Sequence, residues 1–481
     1  MNKSFKHLPP SERKKILLIC DDIRVHSGVA TVAKEIVLHT ASHFNWVQMA
    51  GSITHPEKGK RFDLSEDTNK LLEIDDSSVI LYPIDGYGEP NFLRQLIKLE
   101  KPDAILLITD PRYFEYIFQM ENEIRKNIPI AYLNIWDDYP TPLYNKAFYE
   151  ACDLLMGISK QTVNINKLVL GDKADGKLIK YVPHGLNNKM FYPMTETELS
   201  DKQFLEFKKV MLGNNKFEFV AFFNSRNIRR KSIPDTLLSF KYFLDKLPRE
   251  EAEKCAILLH TEEISEHGTD LIAIVELLFE DYPNNVFFTK GKFAVEQMNW
   301  LYNMTDVQML LSSNEGWGLS LTEALLTGTP IIANTTGGMQ DQMRFENENG
   351  DWIDFDSEFP SNHLGTYKTS GEWAFPVFPT NRSIQGSPRT PYIWDDRCSA
   401  EDVSDQLMNV YSLGNKKRKE IGNKGREWAL GSEAGFTSHH QSERIVDAFT
   451  QLFETWKPRP KYEFINTNEV KNKVVPHKLL Y

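Results

Sequence analysis

At 481 residues the chain has room for two or three domains, and its 41% hydrophobic and 26% charged content is that of an ordinary soluble globular protein. A formal net charge of −11 leaves no global basic footprint for nucleic acid, and Cys20, Cys152, Cys255 and Cys398 are widely spaced with no C-x-x-C pair, which argues against a disulfide framework or a zinc site and suits a reducing cytosol. No apolar run approaches the roughly 20 residues needed to span a bilayer, and the short run at 16–20 cannot serve as a signal segment, so a soluble, cytoplasmic protein is expected.

Residues 1–13 read as a polar leader. The apolar run 16–20 is a buried strand, followed by Asp21-Asp22, the loop Val25-His26-Ser27-Gly28-Val29 and a helical pattern over 30–39. Strand, glycine-bearing loop and helix open a Rossmann-like unit, but without G-x-G-x-x-G dinucleotide binding is not indicated. Further strands are expected at 47–50, 79–81, 104–108, 130–133 and 154–156, alternating with helices, which means a parallel sheet with helices covering it. Ligands gather at the carboxyl ends of such strands. Two segments follow strands in this way, Asp110-Pro111-Arg112-Tyr113 and Trp136-Asp137-Asp138-Tyr139. Asp110 or Asp137 would orient a hydroxyl there; either would equally serve as a loop or helix-cap carboxylate.

A hinge-like segment, Tyr181-Val182-Pro183-His184-Gly185-Leu186, leads to a second set of strands at 217–223, 286–288, 307–311 and 331–333. After the first comes the basic turn Arg226-Asn227-Ile228-Arg229-Arg230-Lys231, and after the second Lys290-Gly291-Lys292. Between the last two lies a loop punctuated by Gly316 and Gly318, with Glu315 and Glu323 separated by seven residues. Glycine lets backbone approach a ligand, and a helix start at Leu319 offers free N–H groups to a phosphate. The plainer alternative is that Ser320-Leu321-Thr322-Glu323 forms a capping box. Residues 351–397 are rich in aromatic residues, Pro, Gly and Ser, too long for a structureless connection, and read as a functional insertion. Within it, Trp373, Phe375 and Trp394 offer faces for stacking on an acceptor, or else a packed satellite cluster; Asp354-Phe355-Asp356 is read as a chance D-x-D. Helices are expected at 400–412, 416–429 and 438–456, with a polar tail over 461–481.

The stretch EGWGLSLTEALLTGTPIIANTTGG resembles the E-x7-E region of retaining, family-four ("group one") glycosyltransferases, in which EGFGL, EA, G-x-P and GG recur in that order. Arg226 and Lys231 fall on the Arg and Lys of that family's G-R-L-x-x-x-K-G, and Val182 to Pro193 resembles its interdomain P-N-G-V-D…F-x-P, with His184 in place of Asn. The resemblance implies a GT-B α/β fold: two Rossmann-like domains, 1–195 on the acceptor side and 196–437 binding the nucleotide sugar, the latter with the insertion at about 351–397, and a helix at 438–460 crossing back. It implies that Arg226 and Lys231 neutralise a leaving diphosphate, that Glu315 holds donor-sugar hydroxyls and that Glu323 binds the ribose. Gly28, Gly291, Gly316, Gly318 and Leu319 would line the donor site. Asp137 follows Trp136 where relatives carry His-Asp, a departure on the acceptor side, where Asp110 and His184 are also expected. A nucleoside diphosphate sugar would be the co-substrate, with no metal and no resident cofactor.

The acceptor is left open by the residues: a hydroxyl on a glycan or a lipid, or, since Gly386-Ser387 and Pro391-Tyr392-Ile393 resemble glycosyltransferases of large tailed phages, on hydroxylated bases of phage DNA. Arg229, Arg230 and the run 416–419 would then contact phosphate, against the overall acidity. A sugar phosphorylase and a non-catalytic sugar-nucleotide binding protein are the other readings of the same scaffold.

Overall fold

The computed structural model describes residues 7–460 apart from 357, 358 and 360–364; the first six residues of the leader and the tail 461–481 lie outside the described residues. The N-terminal half builds one sheet from β1 (Lys14–Asp21), β2 (Phe44–Ile53), β3 (Phe62–Asp63), β4 (Val79–Asp85), β5 (Ala104–Ile108), β6 (Ile130–Asn134), β7 (Leu154–Gly157) and β8 (Leu178–Tyr181), in the order β3-β4-β2-β1-β5-β6-β7-β8. Only the two-residue β3 is antiparallel to its neighbour. The run at 16–20 shows why the sheet is parallel and central: each of its side chains is fully buried. Ile16, Leu18 and Cys20 enter one core, while Leu17 and Ile19 enter a second core on the opposite face. A strand covered on both faces can be apolar without alternation.

The second sheet contains β9 (Phe219–Asn224), β10 (Cys255–His260), β11 (Val286–Phe288), β12 (Val307–Leu310), β13 (Ile331–Asn334) and β14 (Ala374–Val377), all parallel, in the order β11-β10-β9-β12-β13-β14. In each sheet the strand order reverses once at the centre, between β1 and β5 in the first and between β9 and β12 in the second. Crevices form at such switch points, and the loops after β1, β9 and β12 carry Gly28, Arg226 to Lys231 and Glu315.

The stretch 351–397 departs from its reading as an insertion. Residues 374–377 of it are the edge strand β14, and 381–397 form an antiparallel hairpin of β15 (Asn381–Ser387) and β16 (Thr390–Arg397). Trp373 is not a stacking platform for a substrate. It is 6% exposed, its ring lies 5.0 Å from Trp428 in a stacked pair, and its Nε1–H donates to the Gln342 carbonyl at 3.1 Å. Phe375 packs against the same core, and Trp394 lies under the Arg382 guanidinium.

The last helix among the described residues, Ser438–Thr455, returns to the N-terminal domain, as the resemblance implies. Thr437 caps it by accepting from His440 N–H, Ser438 Oγ donates to Glu35 Oε2 at 2.6 Å on the helix Gly28–Thr40, and Phe449 meets Phe44 edge-on at 5.7 Å. Among the described residues no helix is long and apolar enough to cross a membrane.

Candidate active site

A cleft of about 740 Å³ lies where the two switch points face each other. Its walls differ in chemistry. The second domain contributes Arg226, Arg230, Lys231, Glu315 and Glu323, while the first contributes Val29, Ile135 and Ile158 with Asp137 and His184 at the polar end. Local hydrogen bonds hold the first wall in place: Asp21 accepts from Ser27 Oγ (2.5 Å) and Tyr87 Oη (2.6 Å), and Ser27 in turn caps the helix that begins at Gly28.

Glu315 is 8% exposed and engaged on one oxygen by three donors. Arg230 Nη1 reaches Oε2 at 3.0 Å, Ser312 Oγ at 3.1 Å, and Lys231 Nζ makes a closer ion pair. Burial works to raise this carboxyl, but the charges of Arg230 and Lys231 outweigh it and bring it down to about 2. Burial also brings Lys231 down to about 8, offset by the attraction of Glu315. Both members of the pair are therefore charged at neutral pH. The turn Arg229–Lys231 delivers the two cations, and Arg230 also donates to the Asn314 carbonyl at 2.7 Å.

The Gly337-Gly338 pair has a mechanical role in this geometry. A Cβ on Gly337 would lie 2.0 Å from the Glu315 carbonyl oxygen, and one on Gly338 would lie 2.0 Å from that of Gly316. The second loop thus lies flush behind the first, where only glycine fits, and Gly338 N–H donates to the Glu315 carbonyl at 3.0 Å.

No capping box forms around Glu323. The helix runs Leu319–Leu326 and its N-cap is Gly318, at φ +85°, with no side-chain cap. The Glu323 carboxyl turns instead to Tyr302 Oη and to Asn224 Nδ2, at 3.1 Å from the latter. Burial raises it to about 7 against the lowering effect of these two donors. The helix start at Leu319 and Ser320 faces the cleft with Gly316 and Gly318.

The remaining expected residues separate into two groups. Gly28, Gly291 and Arg226 line the cleft, and among the described residues no side-chain hydrogen bond or ion pair engages Arg226. Asp137 also lines it; burial raises its carboxyl and the neighbouring Glu315 adds to this, while Arg230 opposes. The adjacent Asp138 is raised well above the usual carboxylate range by burial and by Asp137. His184 is 7% exposed and burial lowers it to about 4, so it is neutral. Gly185 N–H donates to Gln441 Oε1 at 3.2 Å, which orients that amide so that its Nε2 faces His184 Nδ1 at 3.4 Å and leaves the ring proton on Nε2. Asp110 belongs elsewhere. It is not among the residues that line the cleft; it caps the turn Pro111–Phe114 by accepting from Arg112 N–H and pairs with the Arg112 guanidinium, the arrangement of a loop or cap carboxylate.

Sequence reasoning did not place Arg230, Asn224 or Tyr302 at the site. Arg230, which the DNA-acceptor alternative groups with Arg229 and the run 416–419 as a phosphate contact, lines the cleft, and Arg418 within that run is 4% exposed and bonded to Asp306 at 2.9 Å. Among the described residues no group of three or more His, Cys, Asp or Glu is arranged to hold a metal ion.

Residues 275–358, which carry Glu315, Glu323 and the Gly337-Gly338 pair, match the family described as Glycosyl transferases group 1. The alpha-monoglucosyldiacylglycerol synthase of Acholeplasma laidlawii is 28% identical over 160 residues, 33% of this chain and 36% of that protein. The chain spans only 27% and 36% of the length of the curated relatives it matches. Among solved structures, sucrose-phosphate synthase from Thermosynechococcus elongatus superposes with a TM-score of 0.64 at 16% identity, covering 92% of this chain and all of that one (100%). HepE of Anabaena, in complex with UDP and glucose, superposes with a TM-score of 0.61 at 14% identity, covering 91% and 100%. The fold is the α/β GT-B arrangement of two Rossmann-like domains. The segment matched by the family lies at the centre of its cleft.

The two glutamates predict opposite pH dependences of stability. Glu315, lowered when folded, contributes stability that is present above the unfolded carboxylate value and lost as pH falls from about 4.5 toward 2. Glu323, raised when folded, contributes stability that is present below about 4.5 and lost as pH rises toward 7. Replacing Glu323 by Gln should therefore flatten the decline between pH 5 and 8 in urea-unfolding midpoints, relative to wild type. Parallel pH profiles for the two proteins would show that Glu323 does not titrate as described.

Proposed function

We propose that the protein is a retaining glycosyltransferase that moves a sugar from a nucleoside diphosphate sugar to a hydroxyl acceptor. The observation that carries this reading is the ionised Glu315, held by Lys231 and Arg230 beside an unengaged Arg226 and a helix start in one cleft. Arg226, Lys231 and the amides at Leu319 and Ser320 supply positive potential where a diphosphate departs, the main electrostatic demand of such a transfer. Glu315 accepts from donor-sugar hydroxyls and positions the anomeric carbon. Glu323, with Asn224 beside it, accepts from ribose hydroxyls. The anomeric carbon–oxygen bond to the diphosphate breaks as the acceptor oxygen bonds on the same face, and the acceptor proton passes to the departing phosphate oxygen. Configuration is retained and no separate base is required. The complex of HepE with UDP and glucose supports a donor of this class.

The reading is tested by incubating the protein with a panel of nucleoside diphosphate sugars and hydroxyl acceptors and following release of the diphosphate and the mass of the product. Retention requires that donor and product share the anomeric configuration by NMR; an inverted product would overturn it. Glu315→Gln should keep the fold and lower turnover by roughly 10²-fold or more, because a neutral amide cannot replace a carboxylate among sugar hydroxyls. Turnover within a few-fold of wild type would remove Glu315 from the central role.

Arg226→Ala should weaken a nucleoside diphosphate much more than the bare nucleoside, since a charge-assisted hydrogen bond contributes about 1.5–3 kcal/mol. Calorimetry showing equal losses for the two ligands would place Arg226 away from the phosphates. Because the basic groups already supply the charge, activity should persist in a chelator; loss on chelation with recovery on adding manganese or magnesium would contradict this.

A further inference from the structure

Three consecutive residues of β16 cross from one wall of the cleft to the other. Trp394 N–H donates at 2.7 Å to the carbonyl of Tyr139, two residues beyond Asp137. Asp395 accepts from Ser313 Oγ, and Asp396 N–H donates at 3.0 Å to the carbonyl of Ser313, two residues before Glu315. The crossing is braced behind: Asn334 Nδ2 donates to the carbonyls of Ser312 and Asp396, both at 2.9 Å, and Thr336 Oγ1 donates to Asp396 Oδ2 at 2.9 Å. The far edge of the hairpin is tied to the first domain as well, through Tyr144 Oη donating to the Tyr392 carbonyl at 3.0 Å and Arg112 donating to the Thr390 hydroxyl. Asp395 and Asp396 are 2% and 1% exposed. Burying two carboxylates side by side is costly unless each is bonded: Asp395 is bonded to Ser313, on the turn that presents Glu315, while Asp396 is held by the Arg382 guanidinium (Nε to Oδ1, 2.7 Å) and by Thr336, and reaches the same turn through its backbone N–H.

We propose that Trp394-Asp395-Asp396 is a staple that sets the width of the sugar subsite, with Asp395 and Asp396 as positioning residues for Glu315. The inference rests on the reading of Glu315 as the sugar-binding carboxylate. By joining the loop after Asp137 to the loop before Glu315, the staple fixes the separation of the two acidic walls independently of whether donor is bound. Asp395 meets the basic turn only through Arg229, whose Nη1 lies 3.8 Å from Asp395 Oδ2, and Arg229 does not line the cleft, so the staple governs turnover more than nucleotide affinity.

The full chain carrying Asp395→Ala, Asp395→Asn or Ser313→Ala tests this. Four quantities are read: kcat and KM for the donor, UDP affinity by calorimetry, and the distance distribution between spin labels on exposed sites of the two domains. Asp395→Ala should lower kcat about tenfold or more, since a displacement of about 1 Å in a reacting constellation suffices for that. It should also broaden the interdomain distance distribution while leaving UDP affinity unchanged. Asp395→Asn, whose amide oxygen still accepts from Ser313, should recover most of the lost kcat. If Asp395→Ala does not fold, Ser313→Ala, which deletes a single hydroxyl from the same contact, should show the same pattern more weakly. An unchanged kcat with an unchanged distance distribution overturns the staple, as does a parallel fall in kcat and UDP affinity that Asp395→Asn does not relieve. Should wild type turn over no nucleotide sugar, the proposed function falls, and the distance distribution alone decides the staple: a distribution unaltered by Asp395→Ala overturns it.

Discussion

Desolvating one carboxylate beside two cations is the constraint on which the cleft depends. Glu315 could not be buried alone at tolerable cost; Lys231 and Arg230 make it tolerable, and they must arrive from a different strand than the one that delivers Glu315. This is why β9 and β12 are neighbours at the centre of the second sheet and why both end at the same level. The flat contact of the Gly337-Gly338 loop against the Glu315 backbone then follows, because a loop bearing side chains there would push the carboxylate off its partners.

The second glutamate of the cleft obeys the same rule in reverse. Glu323 is served by neutral donors, Tyr302 and Asn224, and so burial wins and its carboxyl rises. Glu315 is served by charges and falls. Two glutamates with seven residues between them thus differ in protonation through the charge of their neighbours, which gives the cleft one permanent anion and one group that changes state near neutrality.

Much of this was legible in the chain. The central strands are unbroken apolar runs, and their order relative to glycine loops and helices placed Glu315, Glu323, Lys231 and Arg226 at one sheet edge. Three things were not legible, each for a local reason. The edge strand β14 contains Pro376, which an edge tolerates and a sequence pattern does not advertise, so its stretch read as an insertion. β8 is only half-buried along its length and lacks an apolar run. Arg230 sits between two other basic residues, and it is the turn Arg229–Lys231 that sends Arg230 and Lys231 into the cleft and leaves Arg229 outside it. Likewise the S-x-x-E pattern at Ser320 matched a capping box, but Gly318 had already taken the cap position.

The return of Ser438–Thr455 onto the helix Gly28–Thr40 has a bearing on synthesis. Phe44 and its neighbours in the first domain receive their cover from Phe449, a residue translated some four hundred positions later. The first domain can assemble its sheet as it leaves the ribosome, yet one apolar face stays open until the whole second domain has been made. During that interval the face that Ser438–Thr455 covers in the folded protein is exposed on the nascent chain, so elongation through the second domain sets how long it stays open.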